Sequence, residues 1–188
     1  MFENIIKNVH NRHPLIHCIT NYVSINDCAN IVLACGGAPI MAEDINEVSQ
    51  ITSICQGLDI NIGMLNDNKL SSMLKAGATA NELGIPVILD PVGAGSSDYR
   101  IKAVQNLMSN VQFGVIRGNV SEIKAIAAKQ GIHNIAAGVY ETMQKDKSAM
   151  GVEAGIADKI TDDNIKEMAD FINKLSQKTG AVIAVTGG

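Results

Sequence analysis

Short runs of aliphatic and β-branched residues alternate along this chain with longer stretches whose apolar positions recur every three or four residues. The first pattern marks strands buried on both faces, and the second marks helices with one apolar stripe. Phe2, Ile5, Ile6 and Val9 share a helical face, and LIHCITN then reads as a strand. A helix is expected over Val23 to Cys35, stopped by Gly36-Gly37, with APIMA as the next strand. Ile45, Val48, Ile51 and Cys55 form a second stripe, closed by Gly57. LDINIG reads as a strand, and Leu70, Met73, Leu74 and Gly77 mark a helix ending at Gly84. PVILD is the fourth strand, followed by a helix through Ile101, Val104 and Met108. FGVIR is the fifth strand and Ser121 to Gln130 its helix. Residues 131–161 carry no firm period. Ile165, Met168, Ala169, Ile172 and Leu175 form a last amphipathic helix ending near Gly180, and AVIAV is the sixth strand.

This strand–helix rhythm predicts an α/β fold: one mostly parallel sheet with helices on both faces, in a single domain over residues 1–188. With 46% hydrophobic residues in 188, the chain has enough apolar surface for one core. A net charge of −4 with no basic stripe argues against nucleic acid as a partner. Apolar runs such as Ile31 to Cys35 are too short to span a bilayer, and the N-terminus lacks an apolar signal region. Cys18, Cys28, Cys35 and Cys55 have no CxxC spacing, so they are expected to be buried free thiols in a reducing cytoplasm. His10, His13 and His17 match no zinc spacing and read as ordinary polar or core residues.

Polar residues collect where the strands end: Thr20-Asn21, Met41-Ala42-Glu43-Asp44, Asn61-Ile62-Gly63, Asp90-Pro91-Val92-Gly93-Ala94-Gly95, Arg117-Gly118-Asn119 and Thr186-Gly187-Gly188. In an open parallel sheet these ends share the carboxyl edge, where such folds bind ligands. Asp90, closing an apolar run, is placed either to hold Mg²⁺ or to start an Asx-turn. Arg117, the one charge in FGVIRGN, suits a phosphate or an ion pair with a carboxylate. Asn119 with Glu122 spells a capping box, and Glu122 also falls at the expected crevice. Met41 is a core residue or a pocket wall. Neither GxxxxGK[ST] nor GxGxxG occurs, so any nucleotide phosphates need a different set of backbone N–H groups.

The segments HCITNYVSINDCANIVLACGGAPIMAEDINEV, PVILDPVGAG, VIRGNVSEI and VIAVTG resemble, in this order, the hydroxyethylthiazole kinase family. The resemblance runs from about Leu15 to Thr186. It implies a ribokinase-like α/β fold that moves the γ-phosphoryl of ATP, with Mg²⁺, to the primary alcohol of 4-methyl-5-(2-hydroxyethyl)thiazole in thiamine salvage. A cytoplasmic homotrimer with active sites between neighbouring subunits is further implied. By the same resemblance Asn21 and Met41 line the thiazole pocket, Asp90 and Glu122 sit by the magnesium and phosphates, and Arg117 and Thr186 contact ATP. The family's Gly-Cys turn, which carries the expected catalytic cysteine, would lie beyond Gly188. A C-terminally truncated chain with little kinase activity is therefore the expectation. A non-catalytic relic that binds thiazole or nucleotide or assembles with full-length subunits, and a kinase of a pyrimidine alcohol or sugar, are the alternatives; ITN and PIMA favour the thiazole over the latter.

Overall fold

In the computed structural model, residues 2–132, 160 and 164–186 are described, and most of the undecided stretch 131–161 lies outside them. The elements follow as α1 (Phe2–Arg12), β1 (Leu15–Ile19), α2 (Ile25–Ala34), β2 (Ala38–Ile40), α3 (Val48–Ser53), β3 (Gly57–Asn61) and α4 (Asp67–Glu82). Then come β4 (Val87–Asp90), α5 (Asp98–Asn110), β5 (Val115–Asn119), α6 (Val120–Lys129), α7 (Ile165–Thr179) and β6 (Val182–Thr186). The architecture is α/β with parallel strands, as the alternation of periods predicts.

The chain forms two compact units, one of residues 1–89 with 109–112, the other of residues 90–108 with 113–188. In the first, the strands order as β2-β1-β3-β4. β1 pairs with β2 from Leu15↔Ala38 to His17↔Ile40, and with β3 from Ile16↔Gly57 to Ile19↔Ile60, both in parallel. Ile19, Ile60, Ile62 and Met73 have no exposed surface. Burial of each such side chain contributes about 1.5–3 kcal/mol. Helix α4 starts at Asn66, whose side chain accepts the Lys69 N–H at 2.9 Å, an N-cap that satisfies one orphan donor. Residues 109–112 close this unit from a distance in sequence. Asn81 Nδ2 donates to the Gln112 carbonyl at 2.9 Å, and Gln112 N–H returns a bond to Asn81 Oδ1 at 2.7 Å. Gly77 lies against Val111 so closely that a Cβ would meet its side chain at 2.5 Å.

In the second unit β5 pairs in parallel with β6, from Val115↔Val182 to Asn119↔Thr186. Ile116, Ile123, Ile126 and Leu175 are buried from β5, α6 and α7. Helix α7 ends where Gly180 takes a left-handed φ of 72° and donates its N–H to the Ser176 carbonyl at 2.8 Å.

Three expectations shift. FGVIR slides two residues onward, because pairing with β6 carries the polar Arg117-Gly118-Asn119 inside the ladder while Phe113 packs ahead of it. The stripe from Ile45 shortens to Val48–Ser53, since Asp44 Oδ1 accepts both the backbone N–H and the side-chain amide of Asn46, holding a turn there. Cys18 and Cys55 are buried as expected, but Cys28 is half-buried and Cys35 is exposed at the end of α2. Burial, with the Asp59 charge adding to it, pushes the Cys18 thiol up to about 12, so it stays protonated.

Candidate binding sites at the strand ends

At the ends of β1, β2 and β3, side chains of the first unit are locked to one another. Asn21 Nδ2 donates to Asn61 Oδ1 at 3.1 Å, while Asn21 Oδ1 accepts the Ser24 N–H and hydroxyl, both at 3.1 Å. Gly63 N–H also donates to Asn61 Oδ1, at 2.9 Å. The glycine is required here: a Cβ on Gly63 would lie 2.8 Å from Asn21 Nδ2 and 2.9 Å from Asn61 Oδ1. Gly63→Ala is therefore expected to displace Asn21 and cost about 1–3 kcal/mol, read as a lowered thermal midpoint. An unchanged midpoint would show that the asparagines yield freely.

Met41 is half-buried at the end of β2, and the residue after it is held from below. His17 is fully buried, with Nε2 2.8 Å from the Ala42 carbonyl and Nδ1 2.9 Å from Thr52 Oγ1. A carbonyl only accepts, so Nε2 carries the proton. In the neutral ring Nδ1 then accepts from Thr52; on protonation it donates, and the hydroxyl turns to the Val48 carbonyl, 2.7 Å away. Desolvation lowers the His17 pKa, against smaller opposing effects of the Ala42 bond and the Glu47 charge. The unfolded chain thus binds the proton more readily. Stability from this group is full above an ordinary histidine value of about 6.5 and declines as pH falls from there through the folded value. Unfolding free energies from pH 8 to pH 5 should fall for the parent and lose that increment in His17→Asn; equal slopes would refute it.

A second knot lies beside Asn21. Lys69, in the first turn of α4, is buried, yet its Nζ donates to the Thr20 carbonyl at 2.5 Å and pairs with Glu43 Oε2 at 2.7 Å. The ammonium also stands 4.5 Å from the centre of the Tyr22 ring, and the Tyr22 hydroxyl donates to Glu43 Oε1. Burial alone would raise the Glu43 carboxyl, but the bonds from Lys69 and Tyr22 and the Lys69 charge hold it below the ordinary value. Bonding to Glu43 raises the Tyr22 phenol. Glu43 and Lys69 wall a polar cavity of about 560 Å³ that also includes Asp44, Asn66, Asn68 and Ser72. That volume is within the range of small-ligand sites. Glu43 stood among the strand-end residues, whereas Lys69 was missed. Its signal was phase, since Lys69 shares the buried face of α4 with Ser72, Met73, Ala76, Gly77 and Ala80.

The second unit gathers Asp90, Arg117, Glu122 and Thr186. Glu122 is buried, with Oε1 accepting the Gly93 N–H and Oε2 the Asn119 N–H, each at 2.8 Å. Asn119 Oδ1 accepts the Glu122 N–H at 2.9 Å, completing the capping box of α6. Glu122 therefore ties the glycine turn after β4 to the junction of β5 and α6. Gly93 has φ 67°, and the Arg100 guanidinium donates to the neighbouring Val92 carbonyl at 2.8 Å. Arg117 Nη1 lies 3.0 Å from Asp90 Oδ2, so these two are an ion pair; the arginine side chain is half exposed and the aspartate mostly covered. Thr186 Oγ1 donates to the Gly118 carbonyl at 3.3 Å, opposite Asn119 in the register. Among the described residues no cluster of three or more His, Cys, Asp or Glu forms a metal cage. Mg²⁺ uses one or two carboxylates and keeps much of its hydration; the carboxylates at the strand ends of this unit are Asp90, paired with Arg117, and Glu122, bonded to the Gly93 and Asn119 N–H groups.

The hydroxyethylthiazole kinase family model matches residues 6–188. The chain is 52% identical over 187 residues to a hydroxyethylthiazole kinase of Clostridium acetobutylicum, covering 100% of this chain and 63% of that protein. It is 45% identical to a hydroxyethylthiazole kinase of Desulfovibrio desulfuricans, covering 60% of that protein. The chain thus spans about three fifths of the length of the curated relatives it matches. The solved structure of a hydroxyethylthiazole kinase protein from Pyrococcus horikoshii superposes with a TM-score of 0.78 at 30% identity, covering 98% of this chain and 59% of the other.

Proposed function

Because the chain belongs to the hydroxyethylthiazole kinase family, we propose that it carries the thiazole- and nucleotide-binding parts of a kinase that phosphorylates the primary alcohol of 4-methyl-5-(2-hydroxyethyl)thiazole in thiamine salvage. The observation that carries this reading is the pair of locked strand-end clusters, one around Asn21 and one around Glu122, on a chain matched to that family through residues 6–188. Asn21 and Met41 take the thiazole. Arg117 and Thr186 take the phosphates of ATP, the guanidinium by paired hydrogen bonds. Asp90 and Glu122 would hold Mg²⁺, and the ion would supply charge neutralisation on the phosphates. Binding nucleotide then exchanges the Arg117–Asp90 pair for Arg117–phosphate contacts.

The kinase works as one domain of a cytoplasmic homotrimer in this reading. Helix α2 supports self-association, because none of its residues is buried and Ile31 and Leu33 are both more than half exposed. Among the described residues no helix is long and apolar enough to cross a membrane. Calorimetric titration with the thiazole alcohol, a pyrimidine alcohol and Mg²⁺–ATP, followed by mass spectrometry for the phosphorylated thiazole, tests the function. Selective binding of thiazole alcohol and nucleotide is expected. A preference for the pyrimidine alcohol, or binding of neither ligand, would overturn it.

A further inference from the structure

We infer that Lys69, with Glu43 and Tyr22, is a positioning device that sets the distance between the two loops bearing Asn21 and Met41, and so fixes the fit of the thiazole alcohol. This inference rests on the proposed function for the identity of the ligand, and on geometry alone for the device.

The loop after β1 is held at two points that flank Asn21: the Thr20 carbonyl on one side and the Tyr22 ring on the other. The loop after β2 is held at Glu43, two residues past Met41. One ammonium makes all three contacts from a rigid helix, and the Tyr22 hydroxyl closes the circuit by bonding to the same Glu43. A buried lysine is costly unless paired and hydrogen-bonded, and this one is both. A leucine or methionine would fill the same face of α4 without that penalty, so core packing does not call for the charge. What the charge adds is direction: three donors on one nitrogen orient groups from two loops at once. The same lysine and Glu43 also wall the polar cavity, which lies on the side of the loop after β2 and the start of α4. Preorganisation of this kind raises affinity by removing the ordering cost of the loops. No contact between Lys69 and the ligand is required.

The test is Lys69→Met, which keeps bulk and removes the charge. Glu43 is 40% exposed at its side chain and becomes hydrated in the variant, so the carboxylate is not stranded. The expected result is a loss of at least tenfold in affinity for the thiazole alcohol by calorimetry, with Mg²⁺–ATP affinity unchanged within about twofold. Hydrogen exchange should speed up together in residues 20–24 and 41–45. A merely structural lysine would instead lower the thermal midpoint and weaken both ligands alike, and that pattern overturns the inference, as does unchanged thiazole affinity. Where Lys69→Met does not fold, Tyr22→Phe and Glu43→Gln, at partly exposed positions, are each expected to weaken the thiazole alcohol about threefold and leave nucleotide binding alone. If the parent itself binds no thiazole alcohol, the functional reading fails; exchange still decides the device, since protection retained in either loop of the variant refutes it.

Discussion

Replacing Glu122 with alanine is expected to destabilise the chain by about 3 kcal/mol. Two losses combine. The capping box of α6 contributes about 1 kcal/mol, and the charge-assisted bond to the Gly93 N–H contributes about 2. Because Glu122 is buried, water does not readily replace either contact, and the Gly93 and Asn119 N–H groups lose the carboxylate they share. For a chain of this size the thermal midpoint should fall by about 6–12 °C. Glu122→Gln keeps one acceptor oxygen for two amides and should fall about half as far. A shift in Glu122→Ala below about 2 °C would mean that the carboxylate does little for the fold and is retained for the site alone.

Arg117→Ala should behave in the opposite way. Its partner Asp90 is mostly covered, but the guanidinium is half exposed, and such pairs contribute about 0–1 kcal/mol. The thermal midpoint should hardly move. Affinity for Mg²⁺–ATP should fall about 10–100-fold, the equivalent of a charge-assisted contact of about 1.5–3 kcal/mol. Titration calorimetry on both variants separates a structural role from a phosphate-binding one. Equal nucleotide affinity in Arg117→Ala and the parent would remove Arg117 from the phosphate site and leave it as the counter-ion of Asp90.

The alternation of apolar periods was enough to read the strands and helices, because each buried strand is a short aliphatic run and each helix shows its stripe. Boundaries failed where polar residues continue a ladder, as at Arg117-Gly118-Asn119, or where a side chain such as Asp44 builds a turn inside an apparent stripe. At the site, the capping box was legible from Asn119 and Glu122 because it is local in sequence. The Arg117–Asp90 pair was open as one of two readings, and the structure shows it formed. The Gly93–Glu122 clamp and the Lys69 knot were not legible. Each joins residues more than 25 positions apart through side-chain contacts, and no periodicity records such a contact. Helix α2 misled in another way: Cys28 within it and Cys35 at its end were expected to be buried, yet none of its residues is buried and Cys35 is exposed.

The first unit draws its final piece, residues 109–112, from beyond the start of the second. A ribosome that has released only the first 89 residues has therefore made a body lacking its last seam. The groove at Gly77 and Asn81 stays open until Val111 and Gln112 emerge behind α5. Synthesis at about 5–20 residues per second makes that interval on the order of seconds, long enough for an uncovered apolar groove to recruit chaperones. Completion of the first unit thus waits on a four-residue segment at and after the end of α5, and a circular permutation that brought this segment out ahead of residue 1 would change when the first unit completes without changing what it contains.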